Sequence, residues 1–231
     1  MQRTNPAIVA AQVDAIATDF RPAAWKTGML VDADIIAVVA ERLRHHRVVS
    51  LVVDPVMIAK SGDALLAAEA VATLEEQLLP LALVLTPNLP EAEAILRHPV
   101  EGVAGAREAA AALAAMGPRV VVVKGGHGEA DPVTDVVFDR ETGDLTELVY
   151  ARVPGTSTHG TGCTLSAAIA ARLARGEDAI TAIKGARAYL QQALEWAPGL
   201  GAGHGPLGHF GPPGTVPIEL ITGVPRDRSV E

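Results

Sequence analysis

The segment His159-Gly160-Thr161-Gly162-Cys163-Thr164-Leu165-Ser166-Ala167-Ala168-Ile169-Ala170 is a glycine-rich turn that runs straight into an alanine-rich helix. It carries the single cysteine of the chain. Such a turn leaves backbone N–H groups without helical partners, and the positive end of the helix dipole reinforces them. Together they suit a phosphate, or charge developing on a phosphoryl group in transfer. Gly160 and Gly162 also read as ordinary N-cap glycines, and Cys163 as a small buried apolar residue. A nucleophile–base pair of Cys163 and His159 lacks a third residue to orient the imidazole.

Further polar residues punctuate the chain where apolar runs end. Asp54-Pro55 follows an apolar stretch over 50–53, and Asp54 reads as a metal or phosphate counter-ion partner or as a turn-forming aspartate. In Asn88-Leu89-Pro90-Glu91 the carboxylate stands three residues after the amide. This spacing suits a capping box, and equally a Mg²⁺ site reached through water at Glu91. Lys124-Gly125-Gly126-His127 sets an ammonium beside pliable backbone; its order and spacing are not those of a Walker A loop. Lys26-Thr27-Gly28-Met29-Leu30 ends another short run. Met29 there suits packing on a flat heterocycle or filling core space.

The elements that must position these residues alternate. Helical periodicity covers 6–19, 32–46, 65–79, 91–96, 104–116, 161–174 and 178–196. Strands are predicted over 25–29, 50–53, 81–85 and 120–123, with a hairpin formed by 133–138 and 145–149. Continuous apolar strands between helices imply an α/β fold with a mostly parallel sheet covered on both faces. Ligands in such sheets sit at the carboxyl ends of the strands, where Asp54, Thr86, Asn88 and Lys124 all fall.

Composition narrows the function class. The chain has 231 residues, 49% of them hydrophobic, and a net charge of −8. That charge and the lack of a basic block argue against nucleic acid as a partner. No apolar run is long enough to cross a bilayer. Asn5, Gln12 and Asp14 interrupt the apolar N-terminal stretch, so no signal peptide is expected. A single cysteine excludes an internal disulfide and fits a cytoplasmic protein.

Taken together, five ordered motifs resemble the hydroxymethylpyrimidine/phosphomethylpyrimidine kinases of thiamine biosynthesis, a branch of the ribokinase-like superfamily. They are Lys26-Thr27-Gly28-Met29-Leu30, Asp54-Pro55-Val56-Met57-Ile58-Ala59-Lys60-Ser61-Gly62-Asp63, Leu85-Thr86-Pro87-Asn88-Leu89-Pro90-Glu91-Ala92, Val123-Lys124-Gly125-Gly126-His127 and the turn from His159 to Ala168. The likeness spans residues 9–210. It implies a three-layer sandwich that transfers phosphate from ATP, with Mg²⁺, to 4-amino-5-hydroxymethyl-2-methylpyrimidine and then to its monophosphate. By the same resemblance, Gly160, Thr161, Gly162 and Cys163 form the anion hole, with Cys163 as the catalytic base. Thr86, Lys124 and Gly126 belong to the nucleotide side and Met29 and Val56 to the pyrimidine pocket. Asp54, Asn88 and Glu91 belong to the metal-linked motif. A cytoplasmic homodimer is also implied.

Family members open with a strand and a glycine-rich substrate loop that have no counterpart here. The expectation is therefore an N-terminally incomplete kinase domain over 1–210, followed by a Gly/Pro-containing tail over 211–231. Two alternatives stay open: a pyridoxal or pyridoxine kinase of the same superfamily, and a truncated nucleotide binder without catalysis.

Overall fold

The computed structural model describes residues 3–57, 66–126, 131–155 and 159–210, together with the backbone of residues 219–222. Part of the second motif, Ala59-Lys60-Ser61-Gly62-Asp63, lies outside the described residues, as does His127.

The sheet has seven strands in sequence order: β1 (Trp25–Thr27), β2 (Leu51–Val53), β3 (Val84–Leu85), β4 (Val120–Val123), β5 (Val133–Asp139), β6 (Leu145–Tyr150) and β7 (Glu219–Thr222). β1 to β4 run parallel, and β5, β6 and β7 add on antiparallel. β4 consists of four buried valines. A β-branched run without alternation is what a strand covered on both faces requires, and each such side chain contributes about 1.5–3 kcal/mol on burial.

Side chains leave the sheet alternately and build two cores. Leu51, Val53, Leu85, Val121 and Val123 pack with α2 (Ala33–His45), α4 (Leu89–Leu96) and α5 (Gly102–Ala115). Val52, Val84, Val120 and Val122 pack with α6 (Thr161–Ala174) and α7 (Ala179–Glu195). This is the predicted three-layer arrangement. Helix starts follow the capping signals: Asn5 caps α1 (Pro6–Asp19), which has Pro in its first turn; Asp32 caps α2, and Asp178 caps α7.

Several boundaries differ from the sequence reading: β1, expected over 25–29, ends at Thr27, and α4, expected over 91–96, starts at Leu89. The helix expected over 65–79 is α3 (Ala68–Thr73) continued by a π-helical turn, Leu74–Leu78. A 3₁₀ turn with Pro80 at its centre occupies Leu79–Leu81, so the strand expected over 81–85 shrinks to Val84–Leu85. Within the segment read as a tail, β7 pairs with β6, placing Thr146 opposite Thr222 and Val149 opposite Glu219. Among the described residues no helix is long and apolar enough to cross a membrane.

Candidate active site

The carboxyl ends of β2, β3 and β4 converge on Asp54. Because Val53, Leu85 and Val123 face the first core, the next residue on each strand turns toward α6: Asp54, Thr86 and Lys124. Asp54 is 2% exposed. Its Oδ1 accepts from Lys124 Nζ at 3.0 Å and from Thr86 Oγ1 at 3.3 Å. Its Oδ2 lies 3.3 Å from Ser166 Oγ, whose single proton is shared with the carbonyl oxygens of Gly162 and Cys163 at 3.1 Å. A buried carboxylate with such a set of donors is stabilised where a bare one would not be.

Asn88 and Glu91 open α4 with a complete capping box. Asn88 Oδ1 accepts from Glu91 N, and Glu91 Oε2 accepts from Asn88 N, both at 2.8 Å. Glu91 Oε2 also stands 3.8 Å from Lys124 Nζ, so one ammonium bridges two carboxyl groups. Burial pushes the Glu91 carboxyl up to about 7; Lys124 and the Asn88 amide pull it down, and Asp54 pushes it further up. Lys124 is held from below as well, since its N–H donates to Pro87 O at 2.8 Å and Asn88 and Lys124 form a parallel bridge.

The glycine turn lies over this trio. Gly160 is the N-cap of α6 with φ 82°, a left-handed conformation that glycine takes without strain, and it brings no capping side chain. Thr164 N returns to Gly160 O at 2.8 Å. A Cβ on Gly162 would stand 3.2 Å from Lys124 Nζ and 3.7 Å from Asp54 Oδ2. Glycine at 162 leaves the ammonium room that a Cβ would take up, since the Lys124 tip would then have to give by a few tenths of an ångström. Cys163 is exposed, as is His159.

The structure therefore brings Asp54, Thr86, Asn88, Glu91, Lys124 and Gly162 into one cluster with Cys163 next to Gly162 at the helix start. Met29 and Val56, both half-buried, follow β1 and β2 at the same edge, and Gly126 is exposed beyond Lys124. Ser166, fully buried, was not anticipated from sequence. Its signal is the four-residue spacing from Gly162, which sets it one turn along the same helix face.

The donor set also bears on Mg²⁺. Among the described residues no group of three or more His, Cys, Asp or Glu is arranged to hold a metal. Asp54 is occupied by protein donors on both oxygens and Asn88 Oδ1 by the cap, while both contacts of Glu91 fall on Oε2. This suits an ion that keeps its water and takes its remaining ligands from phosphate, as Mg²⁺ does.

Residues 1–208 match the phosphomethylpyrimidine kinase family. A hydroxymethylpyrimidine/phosphomethylpyrimidine kinase of Rhizobium meliloti is 47% identical over 206 residues, covering 88% of this chain and 76% of that protein. Its namesake in Bacillus subtilis is 42% identical over 200 residues, covering 86% of this chain and 73% of that protein. Among solved structures, the pyridoxal kinase of Staphylococcus aureus in complex with ADP superposes with a TM-score of 0.87 at 27% identity. That match covers 96% of this chain and 80% of the other.

Proposed function

The chain belongs to the phosphomethylpyrimidine kinase family, and on that premise we propose that it transfers the γ-phosphoryl group of ATP to 4-amino-5-hydroxymethyl-2-methylpyrimidine and then to the resulting monophosphate, within thiamine biosynthesis. One observation carries the reading at the level of residues: the N-terminal turn of α6 sits on the Asp54–Lys124 pair.

In the first reaction the hydroxymethyl oxygen attacks the γ-phosphorus, the bond from phosphorus to the β–γ bridging oxygen breaks, and ADP departs with that electron pair. Cys163, beside the attacking alcohol, takes the hydroxyl proton. Amides of Gly160, Thr161, Gly162 and Cys163 face the charge spread over the transferred group. Lys124 reaches the phosphates from the floor of the site while Asp54 limits its swing. Thr86 and Gly126 border the nucleotide, and Met29 and Val56 the pyrimidine ring. Mg²⁺ neutralises phosphate charge when bound; Glu91 would hold it through water, with Asn88 fixing Glu91 and Asp54 fixing Lys124. In the second reaction the nucleophile is a phosphate oxygen that is already anionic, so alignment and charge stabilisation suffice.

Likeness to a pyridoxal kinase supports a second reading, phosphorylation of pyridoxal at the same site. Coupled ADP-release assays on the hydroxymethylpyrimidine, its monophosphate and pyridoxal separate the two. A kcat/KM for the pyrimidine at least tenfold above that for pyridoxal is expected; the reverse order overturns the assignment. ATP binding in calorimetry without turnover of any of the three would mark a binder. A cytoplasmic homodimer belongs to the same proposal through family membership, and sedimentation velocity tests the stoichiometry.

A further inference from the structure

Beyond the catalytic cluster, a second buried polar network ends on the backbone of the Lys124 loop. Asp135, in β5, is 1% exposed, and its Oδ1 accepts from Gly125 N at 2.9 Å and from Tyr150 Oη at 2.8 Å. Tyr150 closes β6 and is buried, and its hydroxyl is pushed far above the usual tyrosine range, first by burial and then by the neighbouring Asp135 charge. It is therefore a fixed donor at any working pH. The Arg187 guanidinium covers the Tyr150 ring at 3.8 Å from the centroid. Arg187, itself buried, donates to Gln191 Oε1 at 3.0 Å, and Gln191 Nε2 donates to Ala151 O at 3.0 Å. α7 thus grips the end of β6, β6 orients Asp135, and Asp135 holds Gly125.

A carboxylate this deep costs stability unless its donors are in place, so the network is a rigid unit. It acts on a backbone with no slack. A Cβ on Gly125 would fall 2.0 Å from Thr134 O, so glycine alone permits this contact with β5. Lys124, one residue earlier, directs its side chain to Asp54 and Glu91.

We propose that Asp135 is a positioning residue of the kinase: by fixing the Gly125 amide it sets where the Lys124 ammonium meets the nucleotide phosphates. This rests on the reading of Lys124 as a nucleotide-side residue. Asp135→Ala removes the acceptor for both donors, whereas Asp135→Asn keeps an oxygen in place. Asp135→Ala is expected to raise the KM for ATP roughly tenfold, the scale of one hydrogen bond to a charged group, while the KM for the pyrimidine stays within about twofold. Asp135→Asn is expected to restore most of the loss. An unchanged ATP KM in a folded Asp135→Ala protein, an equal rise in both KM values, or no rescue by Asn overturns the proposal. Should Asp135→Ala fail to fold, Tyr150→Phe decides: a selective rise in ATP KM supports it and unchanged kinetics overturn it. Lys124→Ala, measured alongside, tests the underlying reading separately, because an unaltered ATP KM in that variant removes Lys124 from the nucleotide side whatever Asp135 does.

Discussion

Lys124 and Asp54, 70 residues apart along the chain, meet with 3.0 Å between Nζ and Oδ1 at the floor of the site. The pair joins β4 to β2 across the intervening β3, and Thr86 on β3 donates to the same carboxylate oxygen. Substituting Asp54→Asn keeps the shape and removes the charge. The variant should lose about 2 kcal/mol of stability, since a mostly buried ammonium loses the nearer of its two carboxylate partners. At this chain length that is a fall in Tm of roughly 4–8 °C. Its kcat should drop about 10²-fold as Lys124 loses its anchor. Adding Lys124→Met should recover Tm without recovering kcat, which differential scanning calorimetry and steady-state assays would read out together.

Removing the thiol separates the two phosphorylations. Cys163→Ala should reduce kcat on the hydroxymethylpyrimidine roughly 10²-fold, the scale of a lost general base. Turnover of the monophosphate should fall less than about tenfold, because that nucleophile needs no deprotonation. Parallel losses in the two assays would remove Cys163 from the role of base.

Gly162→Ala offers a contrast between stability and activity. Alanine is the better helix former, so α6 should be no less stable and Tm should hold or rise slightly. The new Cβ at 3.2 Å from Lys124 Nζ nudges the ammonium by a few tenths of an ångström without parting it from Asp54, and kcat/KM for ATP should fall about tenfold. A variant with normal kinetics would show that the close approach serves packing alone.

Glu91 gives the apo protein a pH signature. Burial raises its carboxyl from 4.5 to about 7, so the folded state binds the proton more tightly than the unfolded state. Its contribution is fully present below about 4.5 and is lost as pH rises through 7, at up to roughly 3 kcal/mol by the usual linkage of pKa to stability. Glu91→Gln, which keeps a capping-box acceptor, removes this titration. Chemical denaturation in metal-free buffer should find the variant gaining on the wild type between pH 5 and pH 8. A constant difference across that range would contradict the assignment.

Strand ends were legible because apolar runs stop abruptly at Asp54, Thr86 and Lys124, and a parallel sheet aims all such ends one way. The capping box was legible from the spacing of Asn88 and Glu91 alone. Ser166 was hidden because a serine within an alanine-rich helix resembles surface filler until the fold turns it toward Asp54. Asp135 and Tyr150 were hidden for a related reason: alternation along a hairpin says which face a residue takes, not which loop lies across from it. The π-helical turn at Leu74–Leu78 escaped because it interrupts a helix without changing the residue types that favour one. β7 was obscured by flanking Gly and Pro residues, since four apolar and polar residues among turn formers carry little periodic signal.

β7 gives the distal end of the chain an architectural duty. Its backbone satisfies the outward donors and acceptors of Thr146 to Val149. Clipping the polypeptide ahead of Glu219 would leave those groups on an open rim able to recruit stray strands from other molecules, so a shortened version should precipitate sooner on concentration while the Asp54–Lys124 pair, at the ends of β2 and β4, stays in place.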